Sequence, residues 1–155
     1  MELREISSKI TVSPQVTKKD VAEIKTKGFR AIICNRPDGE GADQPSFEEI
    51  NAAAKLAGIE ARYLPVQSGM VTDEDVAAFR DALEELPRPL LAYCRSGTRS
   101  ATLWSLSEAQ SRPMSEILTA TKAAGFDMSG VARRIANGGR TPTDTGDAKF
   151  DVVIV

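Results

Sequence analysis

The chemistry-bearing residues of this chain gather in one stretch, 90-LLAYCRSGTRSATLW-104, where four residues separate Cys94 from Arg99. An apolar run ending in a tight turn and a helix start is the layout of an anion site. The first N–H groups of a helix have no partners within it and point at whatever occupies the turn. Successive inward N–H groups form a nest for an oxyanion. Gly97 lets the backbone approach closely and adopt positive φ, and Arg99 adds a permanent, fork-shaped charge. That field is expected to stabilise a Cys94 thiolate. Cys94 and Arg99 are therefore the candidate catalytic pair. Arg95, Ser96, Gly97, Thr98 and Ser100 are candidate substrate-binding residues, with Arg95 at the rim. Ser100 is placed either to cap the helix or to donate to the sulfur. Tyr93 and Trp104 read as core.

The chain contains no histidine. Ser-His-Asp and Cys-His catalysis are excluded, as are His-ligated metal sites. Activation of a nucleophile must come from positive charge, backbone N–H groups or a helix terminus. No cofactor site is complete in the sequence.

The 155 residues are enough for one ordinary domain, with 41% hydrophobic and 27% charged residues and hence a real core. A net charge of -2 offers no general attraction to nucleic acid or an anionic membrane. No apolar run approaches the roughly 20 residues of a membrane helix, and MELREISSKI lacks the regions of a signal peptide. Two lone cysteines, Cys34 and Cys94, suit a reducing cytosol.

Elements alternate along the chain. Thr17, with Asp20 three residues on, opens a helix that stops at Gly28. FRAIIC (29–34) reads as a buried strand. Ser46 and Glu49 form a capping box for a helix over 47–57, with Gly58 as its stop. A strand at 60–66, a helix from Thr72 and Asp75, and a strand at 89–93 follow. A helix begins near Ser100 and stops before Pro113, and two short ones cover 114–124 and 129–137. KITVS (9–13) adds an early edge strand. This alternation predicts an α/β domain with a mostly parallel sheet of about four or five strands flanked by helices. Ligands of such sheets bind outside the carboxyl ends of the strands. The loops Cys34-Asn35-Arg36, Gln67-Ser68-Gly69 and Cys94 to Arg99 should therefore share one crevice.

CRSGTRS resembles the active-site loop of rhodanese-type sulfurtransferases, whose pattern is Cys, four residues, then Arg or Thr. It is also similar to the Cys-x5-Arg loop of tyrosine and dual-specificity phosphatases. Relative to that loop, Arg99 arrives one residue early and Tyr93 replaces the usual histidine. Together with 28-GFRAIICNRPDGE-40 and 58-GIEARYLPV-66, the loop resembles a bacterial family labelled beta-lactamase-hydrolase-like, phosphatase-like, over about residues 5–138. The resemblance implies a cysteine-phosphatase-like fold with a rhodanese-length loop.

Two reactions fit a thiolate in an anion cradle. Phosphoester hydrolysis benefits from a general acid, which the phosphatase pattern places just after the strand at 60–66. Here Gln67 to Val71 carry no carboxylate. Asp73 and Asp75, the candidate acids, are also explained by helix capping. Sulfur transfer releases weakly basic groups, and a shorter loop makes a smaller cradle. The expectation is a rhodanese-like sulfurtransferase. It moves sulfane sulfur from thiosulfate or a persulfide, through a Cys94 persulfide, to a thiol acceptor. The alternatives are a phosphatase acting through phosphocysteine and a redox-sensing or anion-binding thiolate, with Cys34 as resolving partner. Arg36 either contacts substrate or braces its loop against Asp38 or Glu40.

Residues 139–155 read as a polar linker followed by FDVVIV. That run resembles the first strand of a Rossmann domain, so a fused or partner flavoprotein oxidoreductase is expected.

Overall fold

The computed structural model describes residues 1–142; FDVVIV lies outside them. Five strands form one sheet: β1 (Arg4–Glu5), β2 (Ile10–Ser13), β3 (Ala31–Cys34), β4 (Glu60–Tyr63) and β5 (Leu90–Tyr93). Their order is β1-β2-β5-β3-β4. All neighbours are parallel except β1, which runs antiparallel to β2. The helices are α1 (Lys18–Thr26), α2 (Phe47–Ala57), α3 (Asp73–Glu85), α4 (Thr98–Ser107), α5 (Met114–Ala123) and α6 (Ala132–Ala136), with a 3₁₀ turn at Ser129–Val131. The expected fold class holds.

Strand β5 lies between β2 and β3 and is covered on both faces, so its apolar run is continuous rather than alternating. Leu90 and Ala92 face a core completed by residues of α3, α4 and α5, among them Phe79, Leu103 and Ile117. Leu91 and Tyr93 face a second core with Val21 and Ile24 of α1 and Ile50 and Ala54 of α2. Edge strand β4 is only half-buried.

Helix starts follow local chemistry. Thr17 and Thr72 each accept from the third helical N–H, and Asp20 and Asp75 return the bond. At α2 only half of the expected box forms. Ser46 Oγ accepts from the Glu49 N–H at 3.2 Å, while the Glu49 carboxylate lies 3.6 Å from Lys18 Nζ. Gly58 ends α2 in the left-handed region at φ 74°.

Three further expectations need correction. The strand at 9–13 is not an edge, because the chain before it folds back as β1 and covers it. The strand expected at 60–66 ends at Tyr63, since Pro65 has no N–H to donate. Helix α4 starts at Thr98, with Gly97 as its N-cap, so Ser100 lies inside it.

Replacing Thr72 by alanine removes the acceptor for the Asp75 N–H at 3.0 Å. Stability should fall by about 1 kcal/mol in urea unfolding. An unchanged midpoint would remove the cap from this account.

Candidate active site

The site is assembled where β3, β4 and β5 end, and Asn35 ties those ends together. Its backbone N–H donates to Tyr93 O at 2.8 Å, and its carbonyl accepts from the Val66 N–H at 3.0 Å. Its Nδ2 donates to Leu64 O at 2.9 Å, and its Oδ1 accepts from Ser100 Oγ at 2.8 Å. Asn35 is wholly buried. Ser100 therefore neither caps the helix nor donates to the sulfur; it anchors α4 to the β3 loop.

Cys94 follows β5 directly, and its N–H reaches Ser13 O on β2 at 3.4 Å. The chain then turns through Gly97 at φ 95°, and the Gly97 N–H donates to Cys94 Sγ at 3.1 Å. A side chain at Gly97 would adopt a strained backbone and meet Phe126 at 3.2 Å. Cys94 is 1% exposed, while Arg95, Ser96 and Thr98 are exposed around it. Ser96 Oγ donates to Thr98 Oγ1 at 3.2 Å.

Arg99 is held by its outer end. Nη1 donates to Glu40 Oε2 and to Val66 O, both at 2.9 Å, and Nη2 donates to Glu40 Oε1 at 3.2 Å. These bonds use both Nη1 hydrogens and one on Nη2. The Nε–H and the second Nη2–H form the other edge of the fork, and neither has a partner among the described residues. That edge matches two oxygens of an oxyanion. Glu40 also accepts from Arg36 Nε at 3.0 Å, and Arg36 Nη1 donates to Gln15 Oε1 at 3.0 Å. The Arg99 hydrogen bond holds the Glu40 carboxyl below its ordinary range, against the opposing push of burial, and Arg36 adds to the effect.

All three predicted loops line one crevice of about 840 Å³. It contains Cys94, Arg95, Ser96, Thr98, Arg99, Arg36, Ser68 and Gly69. The walls also hold Glu40, seen in the sequence only as a brace, and Arg134, which carried no sequence signal. Asp73 and Asp75 do not line it. Thr141 holds Asp73 through its N–H and hydroxyl, both at 2.9 Å, and Arg134 Nη2 lies at 3.1 Å. The Thr141 bonds lead in keeping Asp73 below the usual carboxylate range. Asp75 accepts from the Thr72 N–H at 3.0 Å. Cys34 belongs to the α1–α2 core and donates to Arg36 O at 3.3 Å. Burial raises its thiol pKa, partly offset by Tyr93 and the Arg36 carbonyl. Among the described residues no group of His, Cys, Asp and Glu could hold a metal ion, and no helix is long and apolar enough to cross a membrane.

Residues 2–111 match the family model described as beta-lactamase hydrolase-like protein, phosphatase-like domain. A beta-lactamase hydrolase-like protein of Agrobacterium fabrum is 33% identical over 135 residues, covering 86% of this chain and 31% of its own length. The chain thus spans about a third of that curated relative. A candidate phosphatase from Neisseria meningitidis Z2491 superposes with a TM-score of 0.80 at 35% identity, covering 89% of this chain and 99% of its own. The catalytic core of the PP-IP phosphatase of S. cerevisiae, at 15% identity and a TM-score of 0.66, covers 87% of this chain and 83% of its own. At that identity it shares the fold alone.

These findings overturn the sulfurtransferase expectation, with its rhodanese and persulfide chemistry. The family and its structural relatives are described as phosphatase-like. The expectation leaned on a short loop making a small cradle. In the structure the crevice is bounded by three loops and α6, so the number of residues between Cys94 and Arg99 does not set its size.

Asn35→Ala would strand Leu64 O and Ser100 Oγ, and should cost at least about 2 kcal/mol in chemical unfolding. Full stability would contradict the role given to Asn35. Glu40 has a folded pKa below its unfolded value. Its contribution to stability is therefore complete above about pH 4.3 and fades as pH falls through the folded value. Glu40→Gln should flatten the stability curve on that acid limb, and an equally steep limb would contradict the pairing.

Proposed function

The chain belongs to the beta-lactamase hydrolase-like protein, phosphatase-like domain family, and from that premise we propose that it is a cysteine-dependent phosphoric monoester hydrolase. The observation that carries the reading is the Gly97 N–H donated to Cys94 Sγ at 3.1 Å, at the start of α4, beside the open edge of Arg99. An N–H donor at the N-terminal end of α4 thus meets the sulfur that acts as nucleophile in this reading.

In the proposed reaction, two oxygens of the phosphoryl group take the Nε and Nη2 edge of Arg99, and the third meets the loop N–H groups. Sγ, its proton released to solvent, attacks phosphorus; a sulfur–phosphorus bond forms, and the bond to the leaving oxygen breaks. The leaving oxygen takes up a proton from solvent. Water then cleaves the phosphocysteine, releasing inorganic phosphate and restoring Cys94. Glu40 positions Arg99 throughout. Charge developing on the phosphoryl oxygens is stabilised by groups already in place.

Among the described residues, no crevice carboxyl is poised as an acid. Glu40, the lining carboxylate, is held ionised between Arg36 and Arg99, and Asp73 and Asp75 are bonded elsewhere. Rates should therefore depend steeply on the basicity of the leaving group. A reducing cytosol is the compartment proposed for the two unpaired thiols. A small oxyanion substrate is the proposed partner of the site, and a flavoprotein partner remains a proposal carried by the tail sequence alone.

The test is phosphate release from a series of aryl phosphates, with intact mass measured after rapid quenching. We expect turnover that disappears in Cys94→Ser, a transient phosphoryl adduct on the wild type, and rates that fall steeply as the phenol becomes more basic. Arg99→Ala should lower kcat/KM at least about a hundredfold. Absence of phosphate release, with Cys94 instead gaining one sulfur atom from thiosulfate, would overturn the reading.

A further inference from the structure

The crevice is larger and more basic than one phosphoryl group requires. Its 840 Å³ lies within the range of sites that enclose a whole small molecule. Among the described residues four arginines line it, Arg36, Arg95, Arg99 and Arg134, against one carboxylate, Glu40. This local excess of positive charge stands in a chain of net charge -2. Glu40 pairs with Arg36 and Arg99, which leaves the charges of Arg95 and Arg134 uncompensated by any lining group. Among the described residues no aromatic side chain lines it, and the large apolar groups that do are Val71 and Val131. A phenyl ring or a nucleobase would find no aromatic partner there and could stack only on guanidinium groups, which an anion engages along their N–H edges.

Arg134 is built into its place rather than trailing from the surface. Nη1 donates to Val71 O at 2.7 Å and Nη2 to Asp73 Oδ1 at 3.1 Å, and the side chain is 17% exposed. Its Nε is buried with no hydrogen-bond partner among the described residues. A buried donor without an acceptor is unfavourable, and an anion that reached it would relieve that cost. Asp73 balances part of this charge from behind, outside the crevice lining. Arg95 lines the same crevice, is exposed and has no partner among the described residues.

We propose that Arg134 and Arg95 form a second anion subsite, so that the substrate is a compact, non-aromatic polyanion. One phosphoryl group sits at Cys94, and a second phosphate or carboxylate is held by these two arginines. The proposal rests on the phosphatase reading of the Cys94 loop and adds to it the class of substrate.

The experiment measures binding of inorganic phosphate and of tripolyphosphate to the full chain carrying Cys94→Ser, by calorimetry at low and physiological salt. Tripolyphosphate should bind at least about tenfold tighter than phosphate, with a preference that shrinks as salt rises. Adding Arg134→Gln should remove most of that preference while leaving phosphate affinity within about twofold. Arg95→Gln, on an exposed side chain, should reduce the preference without touching the fold, which covers the case of Arg134→Gln failing to fold. Phosphonoacetate in place of tripolyphosphate keeps a tetrahedral phosphorus oxyanion for the Cys94 loop and offers a carboxylate as the second group; weak binding by both polyanions counts against the subsite. Equal affinities for phosphate and tripolyphosphate, or a preference surviving both substitutions, would overturn the subsite while the hydrolase reading stands. Failure to bind either anion, with no aryl phosphate turnover in the wild type, would overturn both.

Discussion

Everything at the open end of the sheet depends on the Asn35 side chain being fully satisfied. Parallel strands leave ragged carboxyl ends, each with backbone groups that need partners once buried. Asn35 has a donor and an acceptor side by side on one planar amide. It therefore joins the end of β3 to Leu64 beyond β4 and to Ser100 in α4. Through Ser100 the start of α4 is fixed relative to the strands, and with it the turn in which the Gly97 N–H meets Cys94 Sγ. A hydrophobic residue of similar size would fill the space but leave the neighbouring polar groups unpaired.

A second layer is electrostatic. Arg36, Glu40 and Arg99 form a chain of ion pairs at 2.9 and 3.0 Å, with Arg36 and Arg99 nearly buried. Partly buried charges of this kind gain little for stability unless their geometry is good. Here the geometry sets direction: the shared carboxylate fixes the plane of the Arg99 guanidinium relative to the sulfur. The Val66 carbonyl, whose own N–H is held by Asn35 O, gives Arg99 a third anchor. The hydrogen-bonded loop ends and the ion pairs are thus one connected network.

Local features of this arrangement were legible in the sequence. The buried run before Cys94, the glycine in the turn and the Thr-x-x-Asp caps each depend on near neighbours, and each lies where residue type and spacing place it. The common crevice followed from parallel strand order. The partners of these groups did not follow, because they come from distant loops. Glu40 meets Arg99 across 59 residues of chain, Asn35 meets Ser100 across 65, and Arg134 reaches Val71 across 63. No periodicity encodes such meetings. The sulfurtransferase expectation fails for a related reason: a count within one loop cannot report the width of a crevice whose other walls lie elsewhere in the chain.

The two-sided use of Arg99 has a consequence for substitution at that position. One edge of the guanidinium is occupied by the scaffold and the other faces the crevice, so a single residue serves as wall bracket and as ligand. An ammonium group is a point donor without two opposed edges. Lysine would keep the charge yet have to abandon either Glu40 or the incoming anion. At this position shape, rather than charge, is the property that the fold has no way to replace.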